Sequence, residues 1–391
     1  MKLTNNRLQL FRIMMIIIVV AVLEMSGYVA MWFNSRSFDW VGNKNYFRVR
    51  SMLMGSRDAG QFPRYLTQPY LGYVPYPGYK KFGTVQHNDA GYRGQKVPLL
   101  KNGKYRVLCM GGSTTYGLGV NLPTETYPAQ LEILLNDYIS RDSILSKKYS
   151  GAEVINAGLE AGTSAEELEQ YLFKYRYYRP DAVVVHSGVN DAQVMNNTTP
   201  DFQLDYTHYR RLQFHLEPLS QPARFFMRSY FISFITIRLF YENFYYSGTN
   251  GRECYTRQRG QTFCRWTDLN MDSIFKNRQY QYLPYYRNTK SLYEEIVKDS
   301  AVLIVLPNIL NTTDVFVQSN PAYLHQCIEN VSMANMLAQQ TGGVNVSFSY
   351  DSIQNPRWWL DDCHLDPAGE KNKAQIVLPY VIKAAGRPLA R

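Results

Sequence analysis

At 391 residues the chain has room for one large domain or two ordinary ones. Hydrophobic residues at 45% and charged residues at 19% give the balance of a globular protein and exclude disorder as its main theme. The formal charge of +10 would suit nucleic acid or an anionic membrane surface, but the lysines and arginines are scattered and no nucleic-acid motif is present, so no nucleic acid is expected as a partner.

The N-terminus carries the first element. Lys2, Arg7 and Arg12 precede Ile13 to Phe33, a stretch in which Glu24 alone is charged. About 20 apolar residues cross a bilayer core as a helix, and basic residues on the N-terminal side keep that end in the cytoplasm. The core is followed by Leu23-Glu24-Met25-Ser26-Gly27 without a small-x-small cleavage site, which favours a retained signal anchor over a cleaved peptide. Trp32 and Phe33 fit an aromatic belt at the outer interface. The expected layout is a cytoplasmic tail over 1–12, a transmembrane anchor over 13–33, and everything later outside the cytoplasmic (inner) membrane, in a periplasm-like space. A carboxylate near mid-bilayer is costly, so Glu24 is expected to be protonated or to face a partner helix.

Residues 34–100 form a polar, Pro- and Tyr-rich lead-in that ends in the turn-rich Asn88 to Gly94. The rhythm then changes. Tyr105–Met110, Glu153–Ile155, Asp181–His186, Ala301–Leu306 and Val344–Phe348 are apolar runs with the character of buried strands. Between and after them helices are expected over Tyr127–Ile139, Ala165–Tyr178, 289–298, 321–341 and 367–385. Strands alternating with helices predict an α/β/α sandwich around a parallel, flavodoxin-like sheet of about five strands, within a domain over 101–391. An aromatic-rich insertion at about 195–287 interrupts the pattern. Its stretch Phe225–Tyr246 carries Arg228, Arg238 and Glu242, which argue against a second span and for a lid or a membrane-surface helix. The 32 tyrosines suit sugar-like ligands or an interface as well as an ordinary core. Of the five cysteines, Cys254 and Cys264 bracket a polar segment that a local disulfide would close, and Cys109 lies in an apolar strand. No spacing suits a metal, and no cofactor is implied.

Short polar segments fall at the expected carboxyl ends of the strands. They are Gly111-Gly112-Ser113-Thr114-Thr115-Tyr116-Gly117, Asn156 to Ser164, Gly188-Val189-Asn190-Asp191, and Asp361-Asp362-Cys363-His364 ahead of the last helix. One sheet edge would gather a serine at a helix N-terminus, amide donors and a base. Together these blocks resemble, in order and over nearly all of 105–385, the signatures of the SGNH hydrolases, also called GDSL esterases and lipases. The loop Gly91 to Gly94 is similar to the lead-in of many bacterial members.

That resemblance implies a Ser113 nucleophile, a His364 base and an Asp361 orienter, with Asp362 as the alternative orienter. It implies an oxyanion hole built from the Ser113 amide, the Asn190 side chain and an amide of the second block. Where the family usually has a glycine in that block, this chain has Ala161, followed by Gly162. Alanine serves if its φ is negative, whereas a positive φ costs roughly 1–2 kcal/mol. The resulting expectation is a membrane-anchored serine esterase that removes acyl groups from an envelope or extracellular glycan. Its partners would be the lipid bilayer, an acylated substrate and other membrane proteins. A polysaccharide acyltransferase, a lipase, and a non-catalytic scaffold subunit of a membrane complex are the alternatives.

Overall fold

The structure, a computed structural model, describes residues 5–35, 46–54, 65–68, 70–81, 84–196, 206, 219–241, 271–353 and 355–386. It divides into two compact units, Met1–Thr67 with Thr207–Thr262, and Gln68–Tyr206 with Phe263–Arg391.

The second unit is built on five strands, β1 (Tyr105–Gly111), β2 (Ala152–Gly158), β3 (Ala182–His186), β4 (Val302–Val305) and β5 (Val344–Asn345). They pair in parallel in the order β2-β1-β3-β4-β5, the flavodoxin-like arrangement. Every residue of β1, β2 and β3 is buried, as continuous apolar runs covered on both faces require. Alternation along β1 sends Tyr105, Val107 and Cys109 to one face, where they join a core cluster with Val154, Val184 and Ile304.

Two helices complete that face. Tyr127–Arg141 buries Tyr127, Leu131, Leu135 and Ile139, and Pro367–Ala385 buries Ala374, Val377 and Val381, each at helical spacing. Full burial of each Leu, Ile or Val contributes roughly 1.5–3 kcal/mol. Ser164–Phe173, Pro284–Lys298 and Pro321–Thr341 form the opposite layer. The three-layer α/β/α class is therefore the one expected.

Details depart from the sequence reading. The helix expected over Ala165–Tyr178 stops at Phe173 and resumes as a tighter 3-10 turn over Tyr175–Tyr178. At the break the buried ring of Tyr175 packs edge-on to that of Tyr92, and the Lys174 ammonium donates to the Gly91 carbonyl at 2.8 Å. The fifth strand is only Val344–Asn345. The lead-in holds the helix Tyr46–Met54 and an antiparallel pair, Lys80–Lys81 with Thr84–Val85. Cys109, Cys327 and Cys363 are buried free thiols. The disulfide expected between Cys254 and Cys264 lies outside the described residues.

The first unit is helical. Asn5–Asn34 is one continuous helix, about 45 Å long at 1.5 Å per residue. Ile13 through Val22 are exposed along it, and it is long and apolar enough to cross a membrane. With it are Tyr46–Met54, Gln221–Phe226, and Tyr230–Thr236, which runs on as a π-turn over Ile237–Tyr241. Met31, Tyr46, Val49, Leu53, Met227 and Ile237 form the small core of this unit.

Candidate active site

β1 ends at Gly111, and Gly112 leads into a single helical turn, Ser113–Tyr116, closed by Gly117 in the left-handed region at φ 81°. A Cβ on Gly112 would lie 2.5 Å from Asn190 Nδ2, so glycine is what lets the turn after β1 meet the turn after β3. Ser113 is partly exposed while Thr114, Thr115 and Tyr116 are buried, which leaves the serine as the side chain the turn presents.

His364 and Asp361 stand in the loop before the helix Pro367–Ala385. His364 Nε2 is 2.8 Å from Ser113 Oγ, and His364 Nδ1 is 2.7 Å from Asp361 Oδ2. Asp361 Oδ1 also accepts from the amides of Cys363 and His364, at 2.9 and 2.7 Å. Burial alone would raise its pKa, but the His364 contact and the two amides outweigh burial and bring it down to about 2. Asp361 is thus charged at neutral pH. Asp362, the alternative orienter, turns the other way and accepts from Tyr323 Oη at 3.0 Å.

The residues expected to form the oxyanion hole lie on the second and third blocks. Ala161 has φ +57°, the costly conformation for alanine. The Gly162 amide donates to Leu159 O at 2.9 Å, closing a turn, so Ala161 rather than Gly162 supplies the candidate amide of this block. Asn190 Nδ2 donates to Gly162 O at 2.8 Å, and the same amide nitrogen carries a second N–H. Behind them Asp191 accepts from Ser164 N at 3.0 Å and from Ser164 Oγ at 2.6 Å, tying the third block to the second. Burial pushes Asp191 up to about 6, against the pull of the Ser164 bonds. Glu167, also buried and close to Asp191, is raised well above the carboxylate range first by burial and then by that charge.

Two braces escaped the sequence reading. Lys373 is buried in the last helix and donates from Nζ to Thr114 O at 2.8 Å and to Glu370 Oε1 at 2.7 Å. Glu370 Oε2 in turn accepts from the Tyr127 amide at 2.8 Å. The helix that follows the histidine loop is therefore pinned to the residue after Ser113. Arg93, in the lead-in loop, donates from Nη1 to the Tyr116 and Gly117 carbonyls and from Nη2 to that of Val120. A buried Lys spaced three residues from a Glu is the signal that could have revealed the first brace.

Other histidines are engaged elsewhere. His186 sits at the end of β3 with Nδ1 3.1 Å from Leu306 O, and burial lowers its pKa to about 3, so it is neutral. His87 bridges Tyr76 O and Tyr116 Oη. Asp361, Asp362, Cys363 and His364 offer atoms within 4.8 Å of one another that could ligate a metal. Asp361 and His364 are already committed to each other and to Ser113, and Asp362 to Tyr323.

No family model matches the sequence, and no curated protein does. Solved structures to which the chain is similar include an acetylxylan esterase from Geobacillus stearothermophilus, at 14% identity, covering 75% of this chain and 99% of that one, TM-score 0.39. A GDSL-like lipase from Bacteroides thetaiotaomicron matches at 14% identity over 72% of this chain and 89% of its own, TM-score 0.37. An alpha/beta hydrolase enzyme from the metagenome of Lake Arreo matches at 13% identity over 74% and 97%, TM-score 0.38.

Proposed function

We propose that the chain is a membrane-anchored serine esterase of the SGNH/GDSL type, acting on acyl groups, acetyl first, carried by an envelope or extracellular glycan. The observation that carries this reading is the chain of contacts Ser113 Oγ, His364 Nε2, His364 Nδ1, Asp361 Oδ2, at 2.8 and 2.7 Å. A structural histidine has no need of a partly exposed serine on one nitrogen and a carboxylate held ionised on the other.

In this mechanism Asp361 fixes the imidazole with its proton on Nδ1, leaving the Nε2 lone pair facing Ser113. Ser113 Oγ attacks the ester carbonyl carbon while its proton passes to Nε2. The negative charge that forms on the carbonyl oxygen is met by the Asn190 N–H, with the Ser113 and Ala161 amides as further donors. One such donor is typically worth about 2.7–4 kcal/mol in the transition state. When the carbon–oxygen bond to the alcohol breaks, His364 returns the proton to the leaving oxygen. A water, deprotonated by the same nitrogen, then releases the acid from the acyl-serine. Membrane anchoring rests on the long exposed apolar helix Asn5–Asn34. The glycan substrate rests on the compartment this anchor implies and on the abundance of Tyr.

The test is acetate release from O-acetylated xylan and other O-acetylated glycans by the full-length protein in detergent, beside Ser113→Ala. Release that disappears in the variant supports the reading. Turnover of p-nitrophenyl acetate without release from any acetylated glycan would overturn the substrate assignment. Acetyl transfer to an added unacetylated glycan, in place of release, would move the protein to the transferases.

A further inference from the structure

Within the helical unit, the chain turns sharply at Met227–Ser229 between Gln221–Phe226 and Tyr230–Tyr241. The polar groups of that turn are met by two charged side chains. Glu24, on the long helix, accepts from Ser229 Oγ and from the Tyr230 amide, the latter at 2.8 Å. Arg50 donates from Nε to Met227 O at 3.0 Å and to Ser233 Oγ at 3.1 Å, and from Nη2 to Arg228 O at 2.8 Å. Its guanidinium also stacks over the Tyr230 ring, 4.5 Å from the centroid. Ser229 caps the following helix by accepting from the Ile232 amide at 3.1 Å.

A turn in water needs none of this, because solvent satisfies its peptide groups. A turn in hydrocarbon needs all of it, since each unmet N–H or C=O there costs several kcal/mol. The outward face of the hairpin agrees. Phe225, Phe226, Ile232, Ile235, Leu239 and Phe240 are exposed, two of them at 68%. Tyr230–Thr236 packs against the long helix, whose own apolar residues are exposed, and the two backbones touch. A Cβ on Gly27 would lie 2.4 Å from Phe231 Cα, the close approach that small residues allow between helices in lipid. Glu24 precedes Trp32 by about 12 Å of helix at 1.5 Å per residue.

We infer that the hairpin Gln221–Tyr241 enters the outer half of the bilayer beside the anchor helix, with lipid chains as the occupant of its apolar face and Glu24 with Arg50 closing its turn. Glu24 is then the internal partner that allows a second, non-spanning segment into the membrane. Arg238, beyond the turn, is exposed and carries its charge on a long stem, which suits anionic headgroups, while the Arg228 guanidinium lies over the Phe225 ring, 5.6 Å from its centroid. The inference rests on the anchoring part of the proposed function and is independent of the chemistry at Ser113.

The experiment places single nitroxide labels on the full-length chain in liposomes of phosphatidylcholine and phosphatidylglycerol, in a background with the native cysteines replaced. Labels go at Phe226→Cys and Leu239→Cys, with Val20→Cys on the anchor and Ile144→Cys on the sheet unit as references. The ratio of accessibility to oxygen over a water-soluble nickel chelate is expected to match Val20 at both hairpin sites, with Ile144 reading as aqueous. Glu24→Ala is expected to lower the ratio at Phe226 and leave it unchanged at Val20. A hairpin that reads like Ile144 while Val20 reads as lipid overturns this inference alone. A Val20 label that reads as aqueous overturns the anchor as well. Hairpin labels shielded from both reagents would mean that protein covers the face, which also contradicts the inference. If the cysteine-replaced chain fails to fold, the unaltered chain is irradiated with a lipid bearing a diazirine in its acyl chain. Adducts are expected within 221–241, and their absence there beside adducts in 13–33 would contradict the proposal.

Discussion

In the sheet unit, the apolar side chains of β1 to β3 are buried and most charges reach solvent. In the helical unit the sense is reversed, with Glu24 and Arg50 turned inward on a turn while Ile16, Val22, Phe226 and Phe240 face out. The same physics produces both, because polar peptide groups and charges must be met wherever the surroundings cannot meet them. On the proposed reading, the contrast follows from the different solvent each unit meets. It also shows that the charges a unit chooses to bury are those it relies on.

The largest effect is expected where the sheet unit breaks its own rule. Lys373→Met leaves Glu370 buried without its cation and Thr114 O without its donor, and removing one partner of a buried pair typically costs about 3–5 kcal/mol. Chemical denaturation of the sheet unit's unfolding would read that loss. A double variant, Lys373→Met with Glu370→Gln, should recover part of it.

The second prediction sets the two surfaces against each other. Ile17 and Ile144 are both exposed, at 61% and 73%. Ile17→Lys places a charge in the long apolar helix, a cost of about 2.5–3.5 kcal/mol if that helix inserts in a membrane as proposed, and should shift the protein out of the membrane fraction. Ile144→Lys should stay within about 0.5 kcal/mol in stability and leave fractionation unchanged. Equal effects at the two sites would erase the comparison.

A third concerns pH. The folded chain raises Asp191 to about 6, while an unfolded carboxyl titrates near 3.9. The folded state binds this proton more tightly, so the contribution to stability is fully present below about pH 4 and is lost as pH rises to about 6. Asp191→Asn removes the titration. The difference in unfolding free energy between the two proteins should change across that window. Smallest is Ala161→Gly, which relieves a left-handed alanine worth roughly 1–2 kcal/mol and should raise the unfolding midpoint while leaving esterase turnover within a few-fold.

The sheet was legible because its strands are short valine-rich runs such as Ala182-Val183-Val184-Val185, whose pattern reports burial on both faces. Ser113 and Asn190 were legible because each follows such a strand at a turn, and Asp361 and His364 because they stand in the polar loop ahead of the last helix. Contacts between distant residues were not. Glu24 reads as a liability in sequence, since its partners Ser229 and Tyr230 lie 205 and 206 residues away. Lys373 meets Thr114 across 259 residues. The φ of Ala161 was an open alternative that only the geometry of the turn after β2 decides. The break at Lys174 comes from packing of Tyr175 on Tyr92, a contact that helix periodicity does not encode.

The most direct test of the account is covalent. The full-length protein in detergent, treated with a fluorophosphonate probe, is predicted to be labelled at Ser113 at neutral pH, with labelling lost in Ser113→Ala and in His364→Ala. A folded protein that resists the probe, or is labelled equally in Ser113→Ala, would contradict the assignment of Ser113 as an activated nucleophile.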